Sequence, residues 1–215
     1  PLKDQSYFLQ RMPREALARA LFPVGHLHKP QVRAEARRFG LPTAEKPDSQ
    51  GICFVGKLDF HAFLRQRLPP RPGPILSAEG EVLGTHDGLD AYTIGQRHGL
   101  HVNHGQKAWY VAAKDRSRNA LVMVPDPAHP LLSKAEFLIG DVHWLSSAAA
   151  SQPVLAVEAM VRSRQTPVAA RLERLSVAGR YRVHCQTPVW APAPGQSAAL
   201  YQGEECLGGG VLMEG

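Results

Sequence analysis

The segment Pro69-Pro70-Arg71-Pro72-Gly73-Pro74 decides how the chain is organised, because the sequence pattern changes across it. Proline fixes the backbone and lacks an N–H donor, so prolines at this density end any helix or central strand. Before this segment the apolar residues recur with helical spacing, and after it they form the short runs typical of strands. We therefore predict a domain boundary at residue 69.

The pattern upstream of this boundary is helical. Pro30 begins an apolar stripe that Gly40 ends, and proline at the start of a helix with glycine after its end is the usual arrangement. The predicted helices cover residues 14–21, 30–39 and about 58–68. We expect residues 1–68 to form the first domain, rich in helices and loops.

Short apolar runs separated by turn residues predict β-strands downstream of the boundary. A hairpin is expected around the Glu79-Gly80 turn, and the other strands complete a small β-rich central domain over residues 69–130. The predicted strands of this domain are Ile75–Leu76, Val82–Leu83, Tyr92–Ile94, Trp109–Ala112 and Leu121–Val124.

Residues 134–215 alternate between apolar and polar positions, which predicts an antiparallel β-barrel, since closure removes exposed strand edges. Its predicted strands are Val154–Ser163, Val168–Leu175, Arg180–Gln186, Ser197–Tyr201 and Leu207–Leu212. The predicted fold class is therefore α+β with several domains: a helical unit, a small β-rich central domain and a C-terminal antiparallel β-barrel.

The composition is typical of a soluble cytoplasmic protein with an acidic partner. Of 215 residues, 44% are hydrophobic and 20% charged, and no run approaches the roughly 20 apolar residues of a membrane helix. Three cysteines, an odd number, predict reduced thiols and a cytoplasmic location. The formal net charge of +6 favours nucleic acid as a partner, although charge alone identifies none.

Cys53 lies in the most distinctive stretch, Lys46-Pro47-Asp48-Ser49-Gln50-Gly51-Ile52-Cys53-Phe54-Val55-Gly56. A polar turn leads here into a short apolar run, and glycine lets the backbone turn or approach a ligand closely. The residues alone leave two interpretations open: Cys53 is a buried packing residue, or it is a reactive thiol. A single cysteine without a neighbouring base in the sequence does not decide between them.

This stretch resembles the persulfide-cysteine motif Asp-Ser-x-Gly-Ile-Cys-Phe-x-Gly of the tRNA-specific 2-thiouridylases, which replace the 2-oxygen of the wobble uridine with sulfur. Other segments that look like landmarks of this family follow in the family's order along nearly the whole chain. They are Lys3–Leu9, Leu21–Gly25, Tyr92–Arg97, Trp109–Val111, Arg164–Thr166, Pro194–Ser197 and Cys206–Gly210.

The resemblance implies ATP-dependent sulfur transfer from a cysteine persulfide on Cys53, which a sulfur-donor protein reloads. In the family a second cysteine, upstream of the residues that match this chain, completes the exchange through a disulfide with the persulfide cysteine. ATP, with magnesium, binds there at a Ser-Gly-Gly-x-Asp-Ser loop that this sequence lacks.

We therefore expect the chain to be the C-terminal part of a longer enzyme and to be inactive alone. Residues 1–68 would close an α/β adenylating domain of the PP-loop type, and ATP would bind outside the chain. Cys185, on a predicted barrel strand, and Cys206, next to one, are expected to serve packing.

The resemblance also marks residues expected to contact tRNA. Lys3, Asp4 and Gln5 match a tRNA-contacting segment, whereas their side chains alone would indicate only a solvated terminus. Gln196, which follows a Pro-Gly turn, matches a family glutamine that touches the tRNA.

Arg162, Ser163 and Arg164 form the second expected tRNA contact. Arg162 and Ser163 match an arginine and an aromatic residue of the family, and the serine puts any base stacking there in doubt. Arg162 and Arg164 are predicted to leave one strand on the same face. Six arginines and one acid occur between residues 162 and 182, which suggests either a phosphate-binding patch or an ordinary polar barrel face.

Other functions receive less support from the sequence. His98, His101 and His104 are three apart but have no carboxylate or thiolate companion, so we expect no metal site there. The main alternative to the enzyme is a non-enzymatic, basic β-barrel module that binds RNA, in which Cys53 is structural. A cysteine hydrolase would need a positioned base, and His61 is the only histidine near Cys53 in the sequence.

Overall fold

A four-stranded sheet and a closed six-stranded barrel make up most of the regular structure in the computed structural model of the chain. The structure describes residues 6–47, 63, 66–100, 102, 108–163 and 165–214. Cys53 and most of the helix predicted over residues 58–68 lie outside the described residues.

The described N-terminal segment contains short helices joined by turns. A 3₁₀-helix spans Ser6–Leu9, α1 spans Arg14–Arg19 and α2 spans Lys29–Arg38. The backbone N–H of His28 donates to the Gln31 side chain (2.8 Å), which caps the start of α2. On α2, Arg33 donates to the carbonyl oxygens of Ala44 (2.6 Å) and Lys46 (3.0 Å). These bonds hold the residues that lead into the Cys53 stretch against α2.

The four-stranded sheet has the order β2-β1-β4-β3, in which β1 and β4 are parallel and the other pairs antiparallel. Its strands are β1 (Gly73–Ser77), β2 (Val82–His86), β3 (Tyr110–Asp115) and β4 (Ala120–Val124). The expected hairpin is β1–β2. Ile75, Val111 and Leu121 are fully buried in the core of the sheet.

The strand predicted over residues 92–94 was wrong. A 3₁₀-helix spans Leu89–Ala91, and the chain then makes a turn in which the backbone N–H of Gln96 donates to the Thr93 carbonyl (2.9 Å). The side-chain oxygen of Gln96 also accepts a hydrogen bond from the Thr93 N–H (2.9 Å), so two hydrogen bonds join these residues across the turn. These local bonds form a turn in place of the predicted strand.

The barrel closes in the order β10-β5-β8-β7-β6-β9, and all six pairs are antiparallel, which confirms the predicted C-terminal architecture. Its strands are β5 (Ser133–Trp144), β6 (Val154–Met160), β7 (Val168–Arg174), β8 (Tyr181–Trp190), β9 (Ser197–Gln202) and β10 (Glu205–Leu212). A short helix, α3 (Ser147–Ser151), joins β5 to β6. Leu172, Val183 and Leu200 are among the residues that fill its interior.

Two features of the barrel differ from the sequence prediction. The longest strand, β5, was missed, because Gly140 and the left-handed Asp141 (φ 51°) interrupt its apolar alternation. The strand predicted to reach Ser163 ends at Met160, and the chain bends at Arg162. The prediction that Arg162 leaves a strand face was therefore wrong.

Gly208 on β10 is required by the packing of the barrel. It has φ +135°, and a Cβ there would overlap the backbone carbonyl oxygen of His143 on β5. Gly208→Ala is expected to lower the free energy of unfolding by at least about 2 kcal/mol, through overpacking and backbone strain. Gly203, also left-handed (φ +58°) but with open space around it, is the matched control, and Gly203→Ala should cost only about 1 kcal/mol. Urea unfolding of both variants measures the difference, and equal losses would contradict this role of Gly208.

Candidate nucleic-acid interface between the sheet and the barrel

A cleft of about 690 Å³ lies between the four-stranded sheet and the barrel. One wall comes from residues 90–94 and β3, and the other from residues 131–134 and 192–196. The cleft brings together two of the segments noted in the sequence, Tyr92–Arg97 and Pro194–Ser197, which are about a hundred residues apart. Gln196 is half-buried in its wall.

Arg162 joins the sheet side of the cleft to the barrel. Its Nη2 donates to the carbonyl oxygens of Ile94 (2.5 Å) and Ala191 (3.1 Å), and its Nε donates to Ala191 (3.2 Å). The guanidinium carbon lies 5.2 Å from the centre of the Trp190 ring, within the range of a cation–π contact. Burial lowers the pKa of Arg162, although an arginine keeps its charge at neutral pH.

Gly95 allows the sheet side of the cleft and the barrel to approach each other this closely. Its φ is +82°, and a Cβ at this position would lie 2.7 Å from the Ala191 Cβ and 2.8 Å from Cη2 of Trp190. The indole N–H of Trp190 donates to the Pro127 carbonyl (2.8 Å), and the side chain of Gln165 donates to the Trp190 carbonyl (3.1 Å). Trp190 is therefore held from both sides and forms a fixed surface for Arg162.

The N-terminal segment meets the barrel at the same place. The buried Tyr7 hydroxyl donates to the Ser197 carbonyl (2.5 Å) and lies 3.4 Å from the Val161 carbonyl. Burial raises the pKa of Tyr7, and nearby Arg162 partly offsets this rise. Arg11 forms an ion pair with Asp141 (2.5 Å). Residues next to the predicted Lys3-Asp4-Gln5 contact are thus anchored on the barrel, beside Arg162.

The predicted site residues divide into those the structure describes and those outside it. Arg162, Ser163 and Gln196 are described, and all three are half-buried. Lys3, Asp4, Gln5, Cys53 and Arg164 lie outside the described residues. Arg162 and Gln196 lie at the junction of sheet and barrel, but the guanidinium of Arg162 is largely engaged with protein carbonyl groups.

The arginine-rich stretch over residues 162–182 has fewer cations available to bind phosphates than its sequence suggests. Arg182 and His184 face Glu136 at 3.2 and 3.0 Å, and His184 also lies 3.4 Å from Glu173. Arg174 donates to the Ala150 carbonyl. Ion pairs on the surface contribute little to stability, but they reduce the positive charge that RNA would meet.

Three basic residues in the cleft were missed by the sequence analysis: Lys114, Arg116 and Lys134. Arg116 binds Glu214 (2.8 Å) and lies 3.5 Å from Asp90. Burial lowers the pKa of Lys114. The only signal in the sequence was the position of Lys114 just after the Trp109–Val111 landmark, since nothing local brings Lys134 near it.

Cys185 and Cys206 have the properties of packing residues. Burial raises the pKa of the Cys185 thiol to about 11, and it also raises that of Cys206. Because the thiolate is the reactive form, we expect both to resist iodoacetamide at pH 8 in the folded protein and to react after unfolding in urea. Mass spectrometry of the modified peptides measures this. Rapid labelling of Cys185 in the folded state would contradict its burial.

The described residues contain no group of three or more His, Cys, Asp or Glu side chains arranged to hold a metal ion. His98 is exposed, whereas His101 and His104 lie outside the described residues. Within the part of the chain that the structure describes, no helix combines the length and apolar character needed to cross a membrane.

Comparison with family models identifies the class of protein. A model described as a tRNA methyl transferase HUP domain matches residues 1–57, and a tRNA methyl transferase PRC-barrel domain matches residues 61–125. An aminomethyltransferase beta-barrel domain matches residues 134–212. The three matches and the closed barrel confirm the predicted mixed α+β class, and they show that the chain is similar to three successive domains of the families these models describe.

The curated relatives narrow this class. The chain is 45% identical over 99% of its length to the tRNA-specific 2-thiouridylase MnmA of Idiomarina loihiensis. Identity to the proteins of the same name from Pseudomonas fluorescens and Chromohalobacter salexigens is 46% and 47%, over 99% and 98% of the chain. The chain belongs to the tRNA-specific 2-thiouridylase family. It spans 55 to 58% of the length of these three relatives.

Proposed function

We propose that the chain supplies the sulfur-carrying cysteine and much of the RNA-binding surface of a tRNA 2-thiouridylase. The observation that carries this proposal is the identity of 45 to 47% to proteins of that name along almost the whole chain. The Cys53 motif gives it a chemical basis, because a cysteine persulfide is a reversible carrier of sulfur. Residues 1–68 would close the catalytic domain, residues 69–130 would form the central domain, and residues 134–215 would form the barrel domain.

The proposed reaction replaces the C2 oxygen of the wobble uridine with sulfur. ATP, with magnesium, would bind outside the chain and would transfer its adenylyl group to this oxygen with release of pyrophosphate, which turns the oxygen into a leaving group. The terminal sulfur of the Cys53 persulfide attacks C2, and AMP leaves with the oxygen. The thiolate of a second cysteine then attacks the Sγ atom of Cys53. This attack forms a disulfide between the two cysteines and leaves the former terminal sulfur of the persulfide bonded to C2. A thiol reductant and a persulfide donor return Cys53 to its loaded state in the cytoplasm.

The tRNA would be held by residues on both sides of the junction between sheet and barrel. Lys3, Asp4 and Gln5 precede the segment that Tyr7 and Arg11 anchor on the barrel. Gln196 faces the cleft, and its backbone is fixed by hydrogen bonds to Ala193 (3.1 Å) and Leu212 (2.7 Å).

Ser163 and Arg164 follow the bend at Arg162 and would present a hydroxyl group and a cation to the RNA. Arg162 itself would act mainly by holding the sheet against the barrel, since its Nε and Nη2 groups already donate to protein carbonyls.

The names of the similar domain families and relatives suggest two chemistries, methyl transfer for the domain families and thiolation for the relatives. Thiolation is favoured because it gives the Cys53 motif a task, whereas methyl transfer to RNA does not require a cysteine persulfide.

The test is to express the full-length coding sequence in a bacterium that lacks its own 2-thiouridylase. Nucleoside analysis of its tRNA by mass spectrometry is expected to show restored 2-thiouridine. Tight tRNA binding without 2-thiouridine would instead support a non-enzymatic RNA-binding module, and new methylated uridine would support methyl transfer.

A further inference from the structure

We infer that the cleft between the sheet and the barrel binds one unpaired nucleotide of RNA, with its phosphodiester at Lys114 and Lys134 and its base against the apolar wall. This inference rests on the proposed function, because it takes RNA as the ligand. It assigns a role to two lining residues, Lys114 and Lys134, that none of the sequence landmarks contains.

The charge of the lining matches a single phosphodiester. Its ionic side chains are three cations, Lys114, Arg116 and Lys134, and two carboxylates, Asp90 and Glu214, which leaves one positive charge. Arg116 lies within ion-pair distance of both carboxylates, at 2.8 and 3.5 Å. The two lysines therefore provide the excess positive charge of the cleft.

Lys114 is suited to bind an anion because it lies in a partly desolvated position. Burial disfavours its charged form, which lowers its pKa, while Asp90 and Glu214 favour that form and Arg116 opposes it. A bound phosphate would stabilise the ammonium group at close range and would be only partly screened by salt.

The rest of the lining suits a base rather than a second charged group. Ile94, Leu131 and Pro194 provide apolar surface that is at least partly exposed, and the volume of about 690 Å³ lies within the usual range for small-ligand sites. The Gln196 amide offers both a donor and an acceptor to the edge of a base. A base can reach such walls only after it leaves its stack, so the site selects single-stranded RNA.

The test measures fluorescence anisotropy of the protein with a seven-nucleotide single-stranded RNA and with a duplex of the same sequence. Lys114→Ala is expected to weaken single-strand binding about tenfold and to flatten the slope of log K against log salt by roughly 0.7. Lys114→Arg should restore most of the affinity. Lys29→Ala, a lysine substitution on α2 outside the cleft, is the control and should leave the affinity unchanged.

Two further measurements separate RNA binding in the cleft from misfolding of the variant and from thiolation activity. RNA that carries photoreactive 4-thiouridine should crosslink to the peptide that contains Tyr92 or Lys114, and thermal melting should show that Lys114→Ala is folded. Crosslinking at this site in a protein that does not thiolate tRNA would support the cleft and reject the proposed function. Thiolation without crosslinking or without an effect of Lys114→Ala would reject the cleft alone. Equal binding of the duplex, or Lys114-dependent binding of poly-glutamate instead of RNA, would also overturn the inference.

Discussion

The Cys53→Ser variant of the full-length protein is expected to lose 2-thiouridine formation completely while it keeps its affinity for tRNA. Serine preserves the size and polarity of the side chain, but its oxygen cannot carry a persulfide. The measurement is 2-thiouridine per tRNA after incubation with ATP, magnesium and a persulfide donor, together with tRNA affinity from a filter-binding titration.

Cys206→Ser is the matched control, because burial raises the pKa of Cys206 and the residue packs against Tyr7, Ala199 and Tyr201. It should retain thiolation. If Cys53→Ser still thiolated tRNA at the wild-type rate, Cys53 would be a structural residue and the alternative RNA-binding module would gain support. Loss of activity in both variants would indicate damage to the fold instead of loss of the sulfur carrier.

Arg162→Ala is expected to weaken tRNA binding without changing its salt dependence. The substitution removes hydrogen bonds to the carbonyls of Ile94 and Ala191 and the contact with the Trp190 ring, which should destabilise the junction by about 2–3 kcal/mol. A lost phosphate contact would instead flatten the slope of log K against log salt by roughly 0.7–0.9. Salt titrations of tRNA binding by the wild type and the variant measure this difference.

Arg162→Lys separates the two roles further. A lysine keeps the positive charge, but its single ammonium group cannot reproduce the planar hydrogen bonding and ring contact of arginine. We therefore expect Arg162→Lys to behave like Arg162→Ala in both thermal stability and tRNA affinity. If Arg162→Lys kept the wild-type affinity while Arg162→Ala flattened the slope of log K against log salt, Arg162 would instead be a direct phosphate ligand. Arg164→Ala, in contrast, is expected to flatten the slope.

Local patterns predicted much of the β architecture. The Glu79-Gly80 turn predicted the β1–β2 hairpin, and the alternation after residue 154 predicted five of the six barrel strands. The sixth, β5, was not recognised because Gly140 and Asp141 break the alternation that strand prediction depends on. Its position is fixed by pairing with β8 and β10, and both partners are more than thirty residues away in the sequence.

The cleft could not be predicted from the sequence in the same way. Thr93, Lys114 and Gln196 line one cavity only because the sheet packs against the barrel, and no short-range pattern contains that contact. Arg162 shows the same limit. Its residue type indicated a cation for RNA, but the end of β6 at Met160 turns its guanidinium toward Ile94 and Ala191.

The most direct test of the central claim follows one sulfur atom from Cys53 to the tRNA. The full-length protein is loaded with a heavy-isotope persulfide, freed of excess donor, and mixed with ATP, magnesium and tRNA for a single turnover. Mass spectrometry should show the heavy sulfur first on the Cys53 peptide and then, in equal amount, in 2-thiouridine at the wobble position. Heavy sulfur that stays on Cys53 while unlabelled 2-thiouridine forms, or that never reaches Cys53 during turnover, would contradict the account.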